Sequence, residues 1–338
     1  MVKYASILSS NSTFFTTKAP ANLTAVFVGA TNGIGLGALR AFAKHTSGTS
    51  PTIYIVGRSE KNLTTLTASI ATLNPSAKLI PVVANDLTLI KDAQTAANHI
   101  ASSATRVDLL IMSPGYISLK YDESPEGLDR VQTIRYYARM RFLVTLAPLL
   151  RKAPAPRVVT VLGGGGEGAL WPEDWALKQH YNIPNAGGAA VSMMTLFLEE
   201  FVKQPGNEKI GGVHLAPGIV GGTTLTFAGF PGWAKALVDW IVLPLLKLVG
   251  MTIDEAGERV LFAATSPKFP SVKTEGEGEA GAEVEKGSDG KPGSGVYLLR
   301  GDSSVVPGNK VLTGFREEKM GEKVWAHTLE KFGEIEGA

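Results

Sequence analysis

The apolar run Thr24–Val28 is followed by Gly29-Ala30-Thr31-Asn32-Gly33-Ile34-Gly35, and this opens a helical pattern from Leu36 to Lys44. A buried strand delivered through glycines into a helix has the geometry of a dinucleotide-binding turn. Gly29 lets the strand turn sharply and Gly33 lets backbone approach a pyrophosphate. Gly35 lets the helix pack on its strand with its first N–H groups aimed at the phosphates.

Downstream, apolar and β-branched runs recur at Thr52–Val56, Leu79–Val83, Val107–Met112, Arg157–Leu162, Gly212–Ala216 and Val296–Leu299. Helical patterns separate them at Glu60–Leu73, Leu87–Ser103, Glu126–Leu150, Ala189–Lys203 and Ile253–Ala264. Continuously hydrophobic strands alternating with helices predict an α/β fold, a single doubly wound Rossmann-type parallel sheet flanked by helices, with its ligand crevice at the strands' C-terminal ends. With 338 residues, 44% of them hydrophobic, one large domain over 22–338 suffices, preceded by a Ser/Thr-rich extension over 1–21. Residues 271–294 are rich in Gly, Glu, Lys, Ser and Pro and predict a disordered loop inserted near the C-terminus.

A formal net charge of +2 without a Lys/Arg cluster argues against a nucleic-acid partner. The chain has no cysteine, which excludes disulfides and thiolate chemistry, and its five scattered histidines lack metal-ligand spacing, so no metal is expected. Residues 1–21 carry no basic segment followed by an apolar core, so a cytoplasmic location is expected. The most apolar window, Ala234–Gly250, is interrupted by Asp239, Pro244 and Lys247 and is too short for a transmembrane segment. Residues 227–251, with Phe227, Phe230, Trp233, Leu237 and Trp240, read instead as a lid over the crevice, or as a homodimer or membrane-surface face.

The spacing Gly-x-x-x-Gly-x-Gly, with Thr31 inside it, resembles the short-chain dehydrogenase/reductase family over about residues 22 to 265. Four further segments stand in the family's order. Gly57-Arg58-Ser59 follows the second strand, where an arginine in place of an acidic residue can pair with the 2′-phosphate of NADP(H); a surface loop arginine is the plainer reading. Asn85-Asp86-Leu87 corresponds to the family's Asp-Leu against adenine, with Asp86 as a helix cap the structural alternative. Ser113-Pro114-Gly115 stands where the family has Asn-Ala-Gly, and Pro217-Gly218-Ile219-Val220 matches its turn beside the nicotinamide, with Thr223 or Thr224 in reach of the cofactor.

The family's Ser-Tyr-Lys site is degenerate in this chain. Gly163-Gly164-Gly165-Gly166 stands where the serine belongs, and the segment from Ala189 places Gly188 at the lysine and Pro184 at the tyrosine. Tyr181 is the best displaced proton donor, Lys178 stands one helical turn before it, and Arg135 matches the family's asparagine position. The alternatives are a packing tyrosine, a solvated lysine, and an Arg135–Arg139 pair facing solvent or a subunit. The loop from Glu167 to Tyr181 and the region of Val324-Trp325 resemble fungal, secondary-metabolism members of the family, which implies a small hydrophobic metabolite as substrate. Three functions are carried forward: an NADP(H)-dependent oxidoreductase with a relocated proton donor, a non-redox cyclase or isomerase working by shape, and a non-catalytic partner.

Overall fold

The computed structural model describes residues 1–20, 22–223, 227–272, 283–306 and 308–337. Helix α1 (Tyr4–Thr17) precedes β1 (Thr24–Val28), α2 (Gly33–His45), β2 (Thr52–Gly57), α3 (Glu60–Ala71), β3 (Lys78–Val83), α4 (Ile90–Ser103) and β4 (Leu109–Met112). A short strand β5 (Ile117–Ser118) leads to α5 (Arg130–Gln132), which passes through a π-turn (Thr133–Tyr137) into α6 (Ala138–Leu150). There follow β6 (Arg157–Val161), α7 (Ile183–Lys203), β7 (Gly211–Leu215), β8 (Phe227–Ala228), α8 (Gly232–Leu237), a second π-turn (Val238–Val242), α9 (Leu243–Val249), α10 (Ile253–Thr265), β9 (Val296–Leu299), α11 (Lys310–Glu317) and α12 (Met320–Glu336).

The main sheet has seven parallel strands in the order β3-β2-β1-β4-β6-β7-β9, so the fold is the doubly wound sheet expected from the alternation of patterns. Alternate residues of each strand feed opposite cores. Val26 and Val28 join the cluster under α4, α6 and α7, while Ala25 and Phe27 join the cluster under α2 and α10. This two-sided burial is why the strands read as unbroken hydrophobic runs. Pro81 sits in β3 without cost to the sheet because β3 is an edge strand. The order of strand pairing reverses between β1 and β4, which opens a crevice at their C-terminal ends.

Side-chain caps place the helices around that crevice. Asn32 caps α2, Ser59 caps α3, Asp129 caps α5 and Asn182 caps α7, each accepting a backbone N–H from the first turn. Helices α2 and α10 cross backbone to backbone at Gly37 and Gly257, where a Cβ on either glycine would overlap the other helix.

Three features depart from the sequence expectation. The extension contains a docked helix: Ile7 and Asn11 of α1 are buried, and Asn11 Nδ2 donates to Glu258 Oε2 at 2.8 Å and to the Glu258 carbonyl at 2.9 Å. Of the loop expected over 271–294, residues 273–282 lie outside the described residues, but 283–294 does not read as a free loop. Its backbone closes on itself through Gly287 N to Lys291 O at 2.8 Å, and Ser288, 1% exposed, donates to Val296 O at 2.8 Å. Helices α11 and α12 cover the α7 face, with Trp325 stacked on Phe197 at 4.7 Å and Tyr136 bonded to Thr328 at 2.6 Å. No helix among the described residues is long and apolar enough to cross a membrane.

Candidate active site

At the first turn the three glycines do distinct mechanical work. Gly29 (φ +82°) and Gly33 (φ +56°) occupy the left-handed region, so the strand can reverse into α2 without side-chain strain. A Cβ at Gly35 would run into Ser113 Oγ and the Gly29 carbonyl, which is why the helix packs so closely on the strand. Ser113 Oγ donates to the Gly29 carbonyl at 3.1 Å, so a serine in place of the family's asparagine still ties the end of β4 to the end of β1. The turn borders a crevice of about 830 Å³ that runs along the ends of β2, β1, β4 and β6.

Thr31, Asn32, Ile34, Arg58, Asp86 and Leu87 line one end. Arg58 is exposed and has no ion-pair partner among the described residues. Ser59 does not line the crevice; it caps α3. Asn85 is exposed beside it. Asp86 is not a helix cap. Its Oδ1 accepts from the Thr88 amide and hydroxyl, and its Oδ2 pairs with Arg130 at 3.2 Å. The cap of α4 comes from a distance instead, since Glu126 accepts from the amides of Ile90 (2.6 Å) and Lys91 (2.9 Å).

Pro114, Gly115, Pro217 and Thr223 line the other end. Gly218 (φ +68°) turns the chain behind the crevice, Ile219 points outward at 53% exposure, and Thr224 lies outside the described residues. Two residues not singled out by motif also belong here. Tyr116 lines the crevice directly after Gly115, and burial, reinforced by Asp129 and Asp122, pushes its phenol up to about 12. Arg139 is fully buried and clasps the sheet. Its guanidinium donates to Thr160 Oγ1 (2.7 Å), to the Val161 carbonyl (2.9 Å) and to the Pro114 carbonyl, gathering the ends of β4 and β6. Burial, helped by the neighbouring Arg135 charge, brings it down to about 9. Arg135 lines the same end and donates to the Tyr116 carbonyl at 2.7 Å, so the pair faces the crevice, not solvent or a subunit.

The remaining two sequence candidates stand apart from the crevice. Lys178 is exposed and paired with Glu123 at 2.7 Å. Tyr181 donates to the Ser118 carbonyl at 3.1 Å and meets Tyr121 edge-on at 5.9 Å, one residue beyond the lining.

Crowding explains the glycines at the degenerate positions. At Gly188 a Cβ would lie 2.9 Å from the Gly168 Cα, because the 163–182 loop crosses α7 there with Gly168 N donating to the Gly188 carbonyl at 3.2 Å. Gly164 packs on the His214 carbonyl in the same way. These two glycines clear no volume for a ligand, because backbone fills the space. Gly163, Gly166 and Gly187 do border the crevice, and only Gly187 looks onto open space. Gly188→Ala is expected to lower stability by roughly 1–3 kcal/mol in chemical denaturation, the usual cost of overpacking, whereas Gly187→Ala should leave it nearly unchanged.

Behind the glycine turn lies a buried polar relay. Gly163 N donates to His214 Nε2 at 3.2 Å, which leaves Nδ1 to donate to Thr195 Oγ1 at 2.9 Å; Thr195 donates to Glu167 Oε1 at 2.8 Å. Asn309, the cap of α11, donates to Glu167 Oε2. Burial and the Arg139 charge hold the imidazole down to about 3, so it is a neutral clamp on the crevice floor.

Over the end of the crevice lined by Tyr116 and Ile117, β8 pairs with β5, and Ala228 lines the crevice. The segment 227–251 thus reaches the rim, while α8, α9 and the π-turn between them turn Trp233 (74%), Trp240 (82%) and Leu248 (82%) to the outside.

The short chain dehydrogenase family profile matches residues 23–226. Oxidoreductase AN1596 of Emericella nidulans is 34% identical over 97% of both chains, and oxidoreductase andH of Emericella variicolor is 31% identical over 94% of this chain and 93% of its own. Short-chain dehydrogenase/reductase SAT2 of Stachybotrys chartarum is 28% identical over 93% of each. Among solved structures, L-sorbose reductase of Gluconobacter frateurii, complexed with NADPH and L-sorbose, superposes with a TM-score of 0.54 at 19% identity, covering 72% of this chain and 90% of that one. At that identity the likeness is one of fold.

Proposed function

Since the chain belongs to the short chain dehydrogenase family, we propose that it is an NADP(H)-dependent oxidoreductase acting on a hydrophobic carbonyl or hydroxyl metabolite of natural-product type. The observation that carries this reading is one continuous crevice. It runs from Arg58, past the Gly29–Gly35 turn and the capped start of α2, to Tyr116 and Thr223. The residues fit a nicotinamide dinucleotide. A Cβ at Gly33 would come 3.2 Å from Thr223 Cγ2, so glycine is what lets the start of α2 lie this close to Thr223, with its backbone bare on the crevice side where a pyrophosphate would lie. Arg58 would hold the 2′-phosphate, Asp86 and Leu87 would border the adenine, and Pro217 and Thr223 would orient the nicotinamide. When bound, that group supplies or accepts the hydride.

The protein's own share is alignment and a proton. Tyr116, protonated at any physiological pH, would donate to a nascent alkoxide, while Arg135 beside it would add fixed positive charge. Tyr181, bonded to the Ser118 carbonyl, would orient the loop that carries Tyr116. Residues 227–251 would close the substrate end.

Calorimetric titration tests the cofactor assignment. NADPH should bind more tightly than NADH, and Arg58→Ala should weaken NADPH by roughly 10- to 100-fold, the worth of hydrogen bonds to a charged group, while leaving NADH unchanged. Equal affinities would overturn it. The non-redox reading draws on the absence, among the described residues, of any Lys side chain lining the crevice. Product formation without hydride transfer from stereospecifically deuterated NADPH would establish that reading instead.

A further inference from the structure

We propose that Arg135 is an anion anchor, and that the substrate is a hydrophobic acid whose carboxylate, or whose acidic enolate oxygen, this guanidinium receives. The inference rests on the active-site reading above and names its substrate class.

Two guanidinium groups, Arg135 and Arg139, line one end of the crevice, and neither has a carboxylate within ion-pair distance among the described residues. Elsewhere several partly buried arginines are paired, Arg130 with Asp86, Arg259 with Glu255 and Arg316 with Glu199, while Arg157, which has no carboxylate partner among the described residues either, does not line the crevice. Arg139, 1% exposed, is spoken for by carbonyls and Thr160, although its Nε has no partner. Arg135 is not. Its one hydrogen bond among the described residues, to the Tyr116 carbonyl, leaves most of its five N–H donors for the crevice. It stands in the π-turn Thr133–Tyr137, a local widening of the helix of the kind found at functional sites.

Two like charges at one helical turn repel, and both lose hydration by burial. Such an arrangement is unfavourable in the empty site and becomes favourable when an anion enters between apolar walls, here Ile117, Ile134 and Val191. The cofactor's phosphates do not fill that role by position. Arg135 lies by the ends of β4 and β6, across β1 from Arg58 at the end of β2, beyond the Gly29–Gly35 turn.

The test uses the full chain, with and without NADPH, and titrates naphthoate against methyl naphthoate by calorimetry. The wild type should bind the acid roughly 10- to 100-fold more tightly than the ester. Arg135→Gln should erase the difference with NADPH affinity unchanged and the thermal midpoint not lowered, and Arg135→Lys should keep part of it. The proposal is overturned if the wild type shows no preference for the acid, binding of neither ligand included, or if Arg135→Gln keeps the preference. A matching loss of NADPH affinity in that variant would also overturn it, by assigning the guanidinium to the cofactor. Acid preference in a chain that binds no NADPH would leave this inference standing and remove the oxidoreductase reading.

Discussion

Tyr116→Phe is expected to lower turnover by roughly 10²- to 10⁴-fold, the range for loss of a general acid, while NADPH affinity stays within about twofold. The phenol lines the crevice and its surroundings favour the protonated form: desolvation leads, with the Asp129 and Asp122 charges acting in the same direction. A hydroxyl held up at about 12 keeps its proton across the working range; it is a weaker acid than a free phenol, can still protonate the more basic alkoxide, and yields a phenolate poorly. Reduction should therefore run with a flat profile from about pH 6 to about pH 10, and oxidation should be weak until the pH approaches the upper end. The comparison is Tyr181→Phe, whose hydroxyl is committed to the Ser118 carbonyl, so its loss should be closer to the ~1 kcal/mol of one ordinary hydrogen bond. Stopped-flow single turnovers with both variants separate the two phenols. A large loss in Tyr181→Phe with Tyr116→Phe intact would return the proton to the displaced-tyrosine position.

The contrast between these two tyrosines shows where sequence reading reaches. Local rules locate what local geometry determines. The glycine turn and the strand ends fall within a residue or two of their expected places, and Val296–Leu299 coincides with β9. Tyr116 could have been found by the same means, as the first side chain after the Ser113-Pro114-Gly115 turn. Other features depend on chain crossings that no window of sequence contains. Gly188 is glycine because Gly168, twenty residues earlier, passes at backbone distance. Helix α1 hides in a Ser/Thr-rich stretch because it is held mainly by Ile7 and by Asn11 on Glu258, 247 residues away. The Arg135–Arg139 spacing is visible in the sequence, but the face it presents is set by a π-turn that carries no residue signature. Lys178 follows the same logic in reverse: its partner Glu123 comes from another loop and draws it away from the crevice.

Acid should unfold this protein sooner than its carboxylates alone would require, and two histidines, one buried and one partly buried, are the reason. His214 is kept neutral, down to about 3, by burial and by Arg139; His327 is brought down to about 4 by burial and by Lys331. His327 shares a 2.8 Å hydrogen bond with the Tyr137 hydroxyl and stacks on Trp175 at 5.0 Å, a setting with little water to solvate a charged ring. Above pH 6.5, their ordinary value, both are neutral folded or unfolded and contribute no pH dependence. Below it the unfolded chain binds protons that the folded chain refuses, so stability is lost as pH falls, by about 1.4 kcal/mol per histidine per pH unit. At pH 5 the two together should cost about 4 kcal/mol, a large share of a typical domain's stability. Urea midpoints at pH 7.5 and pH 5 measure it directly, and equal midpoints would show that the two rings are not held neutral. The first consequence should be local. A protonated His214 no longer accepts from the Gly163 amide, so hydrogen exchange at Gly163 and Gly165 should quicken before the sheet does, and the crevice floor should loosen while β1 and β4 are still paired.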